Sequence, residues 1–141
     1  MGTINISDIK DKIAFYAQKH GIPANYLEGL IRAENSKDPA SAATVNTIST
    51  NATSPKQAKG IMQITPPAIA QGIKDGRLDP SVAYDPMNID HALDVGAAYA
   101  AYGLQRSGGD PIGMASVYNS GRLNANNPET NLYRQKFAAL S

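Results

Sequence analysis

Residues 31–36, Ile31-Arg32-Ala33-Glu34-Asn35-Ser36, and residues 54–66, Ser-Pro-Lys-Gln-Ala-Lys-Gly-Ile-Met-Gln-Ile-Thr-Pro, bracket the part of the chain from which the rest is read. Glu34 follows Leu27 by seven residues, Leu30 by four and Ile31 by three, so it rides the apolar face of a predicted helix. A carboxyl held against apolar groups loses solvation in its charged form, and its pKa rises towards neutrality. Such a group can deliver a proton and later accept one. The bland alternative is a half-solvated glutamate at a helix end. The Gly60-Ile61-Met62-Gln63-Ile64 segment is apolar with one embedded amide. A buried glutamine must have its hydrogen bonds met, so Gln63 either braces the fold or faces a polar cavity.

Outward from this stretch, the pattern is helical throughout. Ser7, Asp8 and Asp11 open a helix whose apolar positions are Ile6, Ile9, Ile13, Tyr16 and Ala17, and Gly21 stops it. Pro23 opens the second helix, which carries Tyr26, Leu27, Leu30 and Ile31 to Glu34. Thr65-Pro66-Pro67 starts a third, running to Lys74. Asp85-Pro86 starts the longest, to Gln105. Asp110-Pro111 and Asn127-Pro128 start the fifth and sixth. The stripe Ile89, Leu93, Gly96, Ala97, Ala100 and Gly103 is mostly small, which lets another helix approach closely and marks this helix as central.

Residues 37–59 are rich in Ser, Thr, Ala and Asn and read as a long loop, functional or inserted. Within it Thr44-Val45-Asn46-Thr47-Ile48 is β-prone and allows a short β-hairpin between Ala43 and Ser49. No strand-length alternation, heptad, repeat or linker divides the chain. The expectation is one domain over residues 1–141, an irregular all-α globule.

Composition narrows the function. The formal net charge is +1, which supplies no basic face for nucleic acid. There is no cysteine, and the two histidines, His20 and His91, stand far apart without metal-ligand spacing. No metal and no cofactor are expected. No run is long and apolar enough to span a membrane. The opening Met1-Gly2-Thr3-Ile4-Asn5-Ile6-Ser7-Asp8 has neither a basic n-region nor an apolar h-region, so no secretory signal is expected in this chain.

Four pieces stand in order along the chain: Glu34-Asn35, Ser54 through Thr65-Pro66, Val117-Tyr118-Asn119-Ser120-Gly121, and Glu129-Thr130-x-x-Tyr133. Asn88-Ile89, Gly96 and Tyr99 lie between the second and third. Together they resemble the soluble lytic transglycosylase family, whose Slt-type catalytic domain has a lysozyme-like fold. Asn35 stands where that family has serine, and the Glu34-to-Ser54 interval is longer than the family's by about one loop, which should reshape one edge of the cleft.

The resemblance implies cleavage of the β-1,4 bond between N-acetylmuramic acid and N-acetylglucosamine in peptidoglycan glycan strands, leaving a 1,6-anhydro end. It implies Glu34 as the one catalytic acid and base. Tyr118 and Tyr133 would offer phenol donors to it. Ser54, Gln63 and Asn119 would hold the substrate, and Met62 with Ile61 would form an apolar floor. The motif framework shows only one carboxylate, which suits intramolecular attack rather than hydrolysis by a carboxylate pair. The rival readings are a hydrolytic muramidase of the goose-type lysozyme kind and a non-catalytic wall-binding module. The expected setting is the bacterial cell wall, in the periplasm, with the chain a monomer or part of a larger phage or secretion assembly; a bacteriophage virion or lysis protein is the favoured source.

Overall fold

The Pro-led helix starts seen in the sequence lay out most of the architecture. In the computed structural model, which describes residues 2–55 and 57–140, β1 spans Thr3–Asn5, followed by a 3-10 turn over Ile6–Ile9 and α1 over Lys10–Lys19. Then come α2 (Ala24–Glu34), α3 (Pro39–Thr44), β2 (Thr47–Ser49), α4 (Pro66–Lys74), α5 (Ile89–Arg106), α6 (Pro111–Ser120) and α7 (Pro128–Ala138). Asp110 caps α6 by accepting from the Ile112 amide at 3.1 Å, and Asn127 caps α7 by accepting from the Thr130 amide at 2.8 Å. The fold is all-α with one two-stranded ribbon.

Helix α5 is central, as its small stripe predicts. It packs against α1, α4 and α6, and Ala92 through Ala98 are buried on every side. On α5 the closest approach is at Gly96, where a Cβ would lie 2.6 Å from Met62 Cε. Met62 is therefore a core residue, fully buried where the 60–64 turn presses on α5. Gly60, at φ +79°, lets that turn form, and a Cβ on it would meet the Pro86 carbonyl at 2.1 Å.

Two expectations are corrected. Helix α5 begins at Ile89, because Asp85 spends its carboxylate on the Met87 amide (2.9 Å) in a preceding turn. Asn88 is the cap instead, accepting from the His91 amide at 3.0 Å.

The 37–59 stretch is not a structureless loop. Asp38-Pro39 starts α3 with a reciprocal capping box: Asp38 Oδ1 accepts from the Ser41 amide at 2.8 Å, and Ser41 Oγ from the Asp38 amide at 3.2 Å. The β-prone residues do form a strand, but not a hairpin. β2 pairs antiparallel with β1, matching Ile4 with Ile48, and the Ile48 side chain is buried in the core. Among the described residues no helix is long and apolar enough to cross a membrane.

Candidate active site

Glu34 is the last residue of α2, and the next residue explains why the helix stops there. Asn35 turns its side-chain amide back to the Ile31 carbonyl at 2.7 Å and across to the Ile61 carbonyl at 2.9 Å. It thereby caps α2 and ties it to the 60–64 turn. Tyr118, on α6, donates its hydroxyl to the Met62 carbonyl at 2.8 Å. Gln63 donates its amide to the Gly60 carbonyl at 2.9 Å and the Ala52 carbonyl at 3.2 Å. Three side chains from three places thus brace one turn. Gln63 itself sits at φ +49°, a conformation that non-glycine residues adopt only when neighbours enforce it.

These elements enclose a cavity of about 320 Å³, at the small end of the usual range for ligand pockets. Glu34, Ser54, Gln63, Tyr118 and Asn119 all line it. The Ser54 hydroxyl accepts from the Ala58 amide at 3.1 Å, which fixes the tight turn carrying it. The Asn119 carbonyl oxygen accepts from the buried Thr130 hydroxyl at 2.8 Å, turning its amide towards Glu129. Two sequence-predicted residues lie elsewhere. Met62 is packed in the core and reaches the site only through its carbonyl. Tyr133 is buried behind Glu34 rather than exposed in the cavity.

Glu34 lines the cavity and is largely enclosed by protein. Burial pushes its pKa from the ordinary 4.5 up to about 7; the Tyr133 hydroxyl and the Lys136 ammonium pull it down, and the Glu129 carboxylate adds to the rise. Tyr133 and Tyr118 are held well above the ordinary phenol value, first by their own burial and then by Glu34. The Tyr133 hydroxyl is buried and, among the described residues, makes no hydrogen bond of good geometry, although Glu34 is its electrostatic partner. Lys136 donates to the Ser36 carbonyl at 2.8 Å and lies 5.7 Å from the Tyr133 ring centre.

The expectation that both tyrosines donate to Glu34 needs correction for Tyr118, whose hydroxyl is spent on the Met62 carbonyl. The expectation of a single carboxylate also changes. Glu129 lines the same cavity, on the same face of α7 as Tyr133 four residues on and Lys136 seven residues on. That spacing was present in the sequence as the first residue of Glu129-Thr130-x-x-Tyr133. Tyr99, which the sequence places among the motif residues without a role in the site, is the other addition. It lines the cavity with its ring centre 5.6 Å from Tyr118 and 5.7 Å from Tyr102. Among the described residues no cluster of His, Asp or Glu has the makings of a metal site.

Comparison with known proteins places this geometry. No curated protein sequence matches the chain. The lytic transglycosylase Slt of Pseudomonas aeruginosa, solved as an inactive mutant with a glutamate changed to glutamine, superposes with a TM-score of 0.71 at 17% identity, over 92% of this chain and 22% of that one. The 70 kDa soluble lytic transglycosylase of Escherichia coli superposes at 0.62 with 25% identity, over 79% of this chain and 16% of that one. A complex of the 70 kDa soluble lytic transglycosylase with bulgecin A gives 0.62 at 21% identity, over 91% and 18%. The fold is thus the lysozyme-like fold of these enzymes, and the chain spans about a fifth of their length. The family model for the transglycosylase SLT domain matches residues 11–141, and the chain belongs to that family.

Proposed function

We propose that the chain is a peptidoglycan lytic transglycosylase that uses Glu34 as its acid and base. One observation carries this reading: a carboxyl that holds a proton near neutrality opens into the cavity that the family's motif residues share. Protonated Glu34 donates to the glycosidic oxygen as the bond from muramic acid C1 breaks. The carboxylate so formed then accepts the proton of the same sugar's 6-hydroxyl as that oxygen bonds to C1. The acid is regenerated, and the products are a 1,6-anhydromuramic end and a free 4-hydroxyl on the leaving sugar. The inactive glutamate-to-glutamine mutant of the Pseudomonas relative supports a glutamate in this role.

The supporting parts follow from their fixed positions. Tyr133 approaches Glu34 from behind and stabilises its anionic state after the first proton transfer. Asn119 and the Gln63 carbonyl oxygen are held by their other hydrogen bonds at the cavity wall, ready for acetamido and hydroxyl groups. Tyr99 offers an aromatic face to a sugar ring.

Glu129 favours a second reading. A further carboxylate in the cavity could activate water, and cleavage would then be hydrolytic, as in a muramidase. Mass spectrometry of digested peptidoglycan decides: the proposal predicts 1,6-anhydro ends from the wild type and no release by Glu34→Gln. Reducing ends would replace it with the hydrolytic reading. A wall left undigested by the wild type would leave the non-catalytic binding module.

A further inference from the structure

Glu34 does not sit at the closed end of a pocket. Besides the cavity described above it borders a second hollow, on the α3 side, lined by Ser36, Lys37, Ser41, Thr44 and Val45. Glu34 is the residue common to both depressions. The second hollow is firmly built. The Asp38–Ser41 capping box holds α3, Lys136 anchors the Ser36 carbonyl, and Arg32 donates to the Val45 carbonyl. Helix α3 also packs against α2 and α7, the two helices that carry Glu34 and Tyr133. At their outer parts the two depressions reach exposed residues: Lys37 and Thr44 on one side, Pro67 and Gly121 on the other.

An enzyme that recognises only a strand terminus needs a wall beside its reacting group, because the wall is what selects the end. Here the acid lies between two depressions that both open outward, so a polymer can continue past it in both directions. We infer that the chain cleaves within glycan strands rather than stepwise from their ends, with sugars on both sides of the cut bond lying in the two hollows. This rests on the transglycosylase reading and adds the mode of attack to it. The segment that makes the difference is the α3 hollow, in the stretch that the sequence alone presented as an overlong loop.

The test uses long uncrosslinked glycan strands, sampled when only a small share of bonds has been cut and sized by chromatography. Internal cleavage predicts products of all lengths and a rapid fall in mean length, with disaccharide a minor species. Disaccharide released from the first sample, beside strands of full length, would overturn it. Internal cuts that leave reducing ends would uphold the mode and overturn the transglycosylase chemistry. Strands left intact would overturn both. Thr44→Trp, which places a bulky ring at the exposed edge of the α3 hollow, should slow internal cuts by about tenfold, the loss of roughly 1.4 kcal/mol of binding, while the melting temperature holds. Unchanged product lengths and rate in that variant would overturn the role of the hollow.

Discussion

Two carboxylates, Glu34 and Asp94, are both enclosed by the fold and are pushed in opposite directions. Asp94, on α5, meets His20 Nε2 at 2.6 Å and Lys19 Nζ at 3.0 Å. Burial alone would raise its pKa, but these two hydrogen-bonded partners more than offset it, and the carboxyl titrates below its ordinary value. Among the described residues Glu34 has no cation in hydrogen-bond contact; the Tyr133 hydroxyl and the more distant Lys136 lower its pKa, Glu129 opposes them, and burial wins. The same chemical group therefore serves two ends. Paired, it fastens α5 to the end of α1. With no bonded cation among the described residues, it holds a proton near pH 7 and is available for chemistry, at a cost to stability.

The comparison breaks most visibly in activity. Glu34→Gln keeps the shape of the protonated side chain but can neither donate nor accept the proton, so turnover should fall by about 10² to 10⁴ or more. Peptidoglycan clearance within tenfold of the wild type would remove Glu34 from its role. Asp94→Ala should do the reverse: cleavage geometry intact, stability down by about 3 kcal/mol, because a buried His20 loses its acceptor. Denaturant titration measures it, and a loss under about 1 kcal/mol would show the pair to be dispensable.

A third effect separates the two carboxylates by pH. Glu34 binds its proton more tightly folded than unfolded, so its contribution is full below the ordinary 4.5 and is lost as pH rises towards about 7. Relative to Glu34→Gln, the wild type should lose about 3 kcal/mol across that window and nothing further above it. Asp94 has the opposite sign. Its contribution is present above the unfolded value and is lost as pH falls through the lower, folded one. A stability difference between wild type and Glu34→Gln that stayed flat from pH 4 to 8 would contradict the assignment of burial to Glu34.

The smallest effect is the most specific. Glu129 raises the proton affinity of Glu34, so Glu129→Gln should move the alkaline limb of the pH–rate profile to lower pH, by less than about one unit. Activity on the acid side should then persist. A loss that is uniform across pH would instead make Glu129 a direct participant, as the hydrolytic reading requires.

Much of this was legible in the residues. Glu34 was marked by its place on an apolar helix face, and the Asp-Pro and Asn-Pro pairs placed α6 and α7. What escaped was non-local or locally disguised. Asp38-Pro39 carries the same start signal, but it is set in a Ser- and Ala-rich run and opens a six-residue helix with too few turns to show a period. β2 was visible as β-prone, yet its partner lies more than forty residues upstream, and strand pairing over that distance is a tertiary choice. The target of the Tyr118 hydroxyl is a backbone carbonyl, which no side-chain pattern records. Glu129 was in plain view four residues before Tyr133, and helical spacing alone sets it on the Glu34 side of α7.

Glu34 carries a proton near neutrality because its burial outweighs the Tyr133 hydroxyl and the Lys136 ammonium, which pull the other way. The direct test is a pH titration of the carboxyl carbons by NMR with labelled glutamate, comparing wild type with Glu34→Gln to assign the resonance. The predicted midpoint for Glu34 is about 7. A midpoint at the ordinary 4.5 would contradict it.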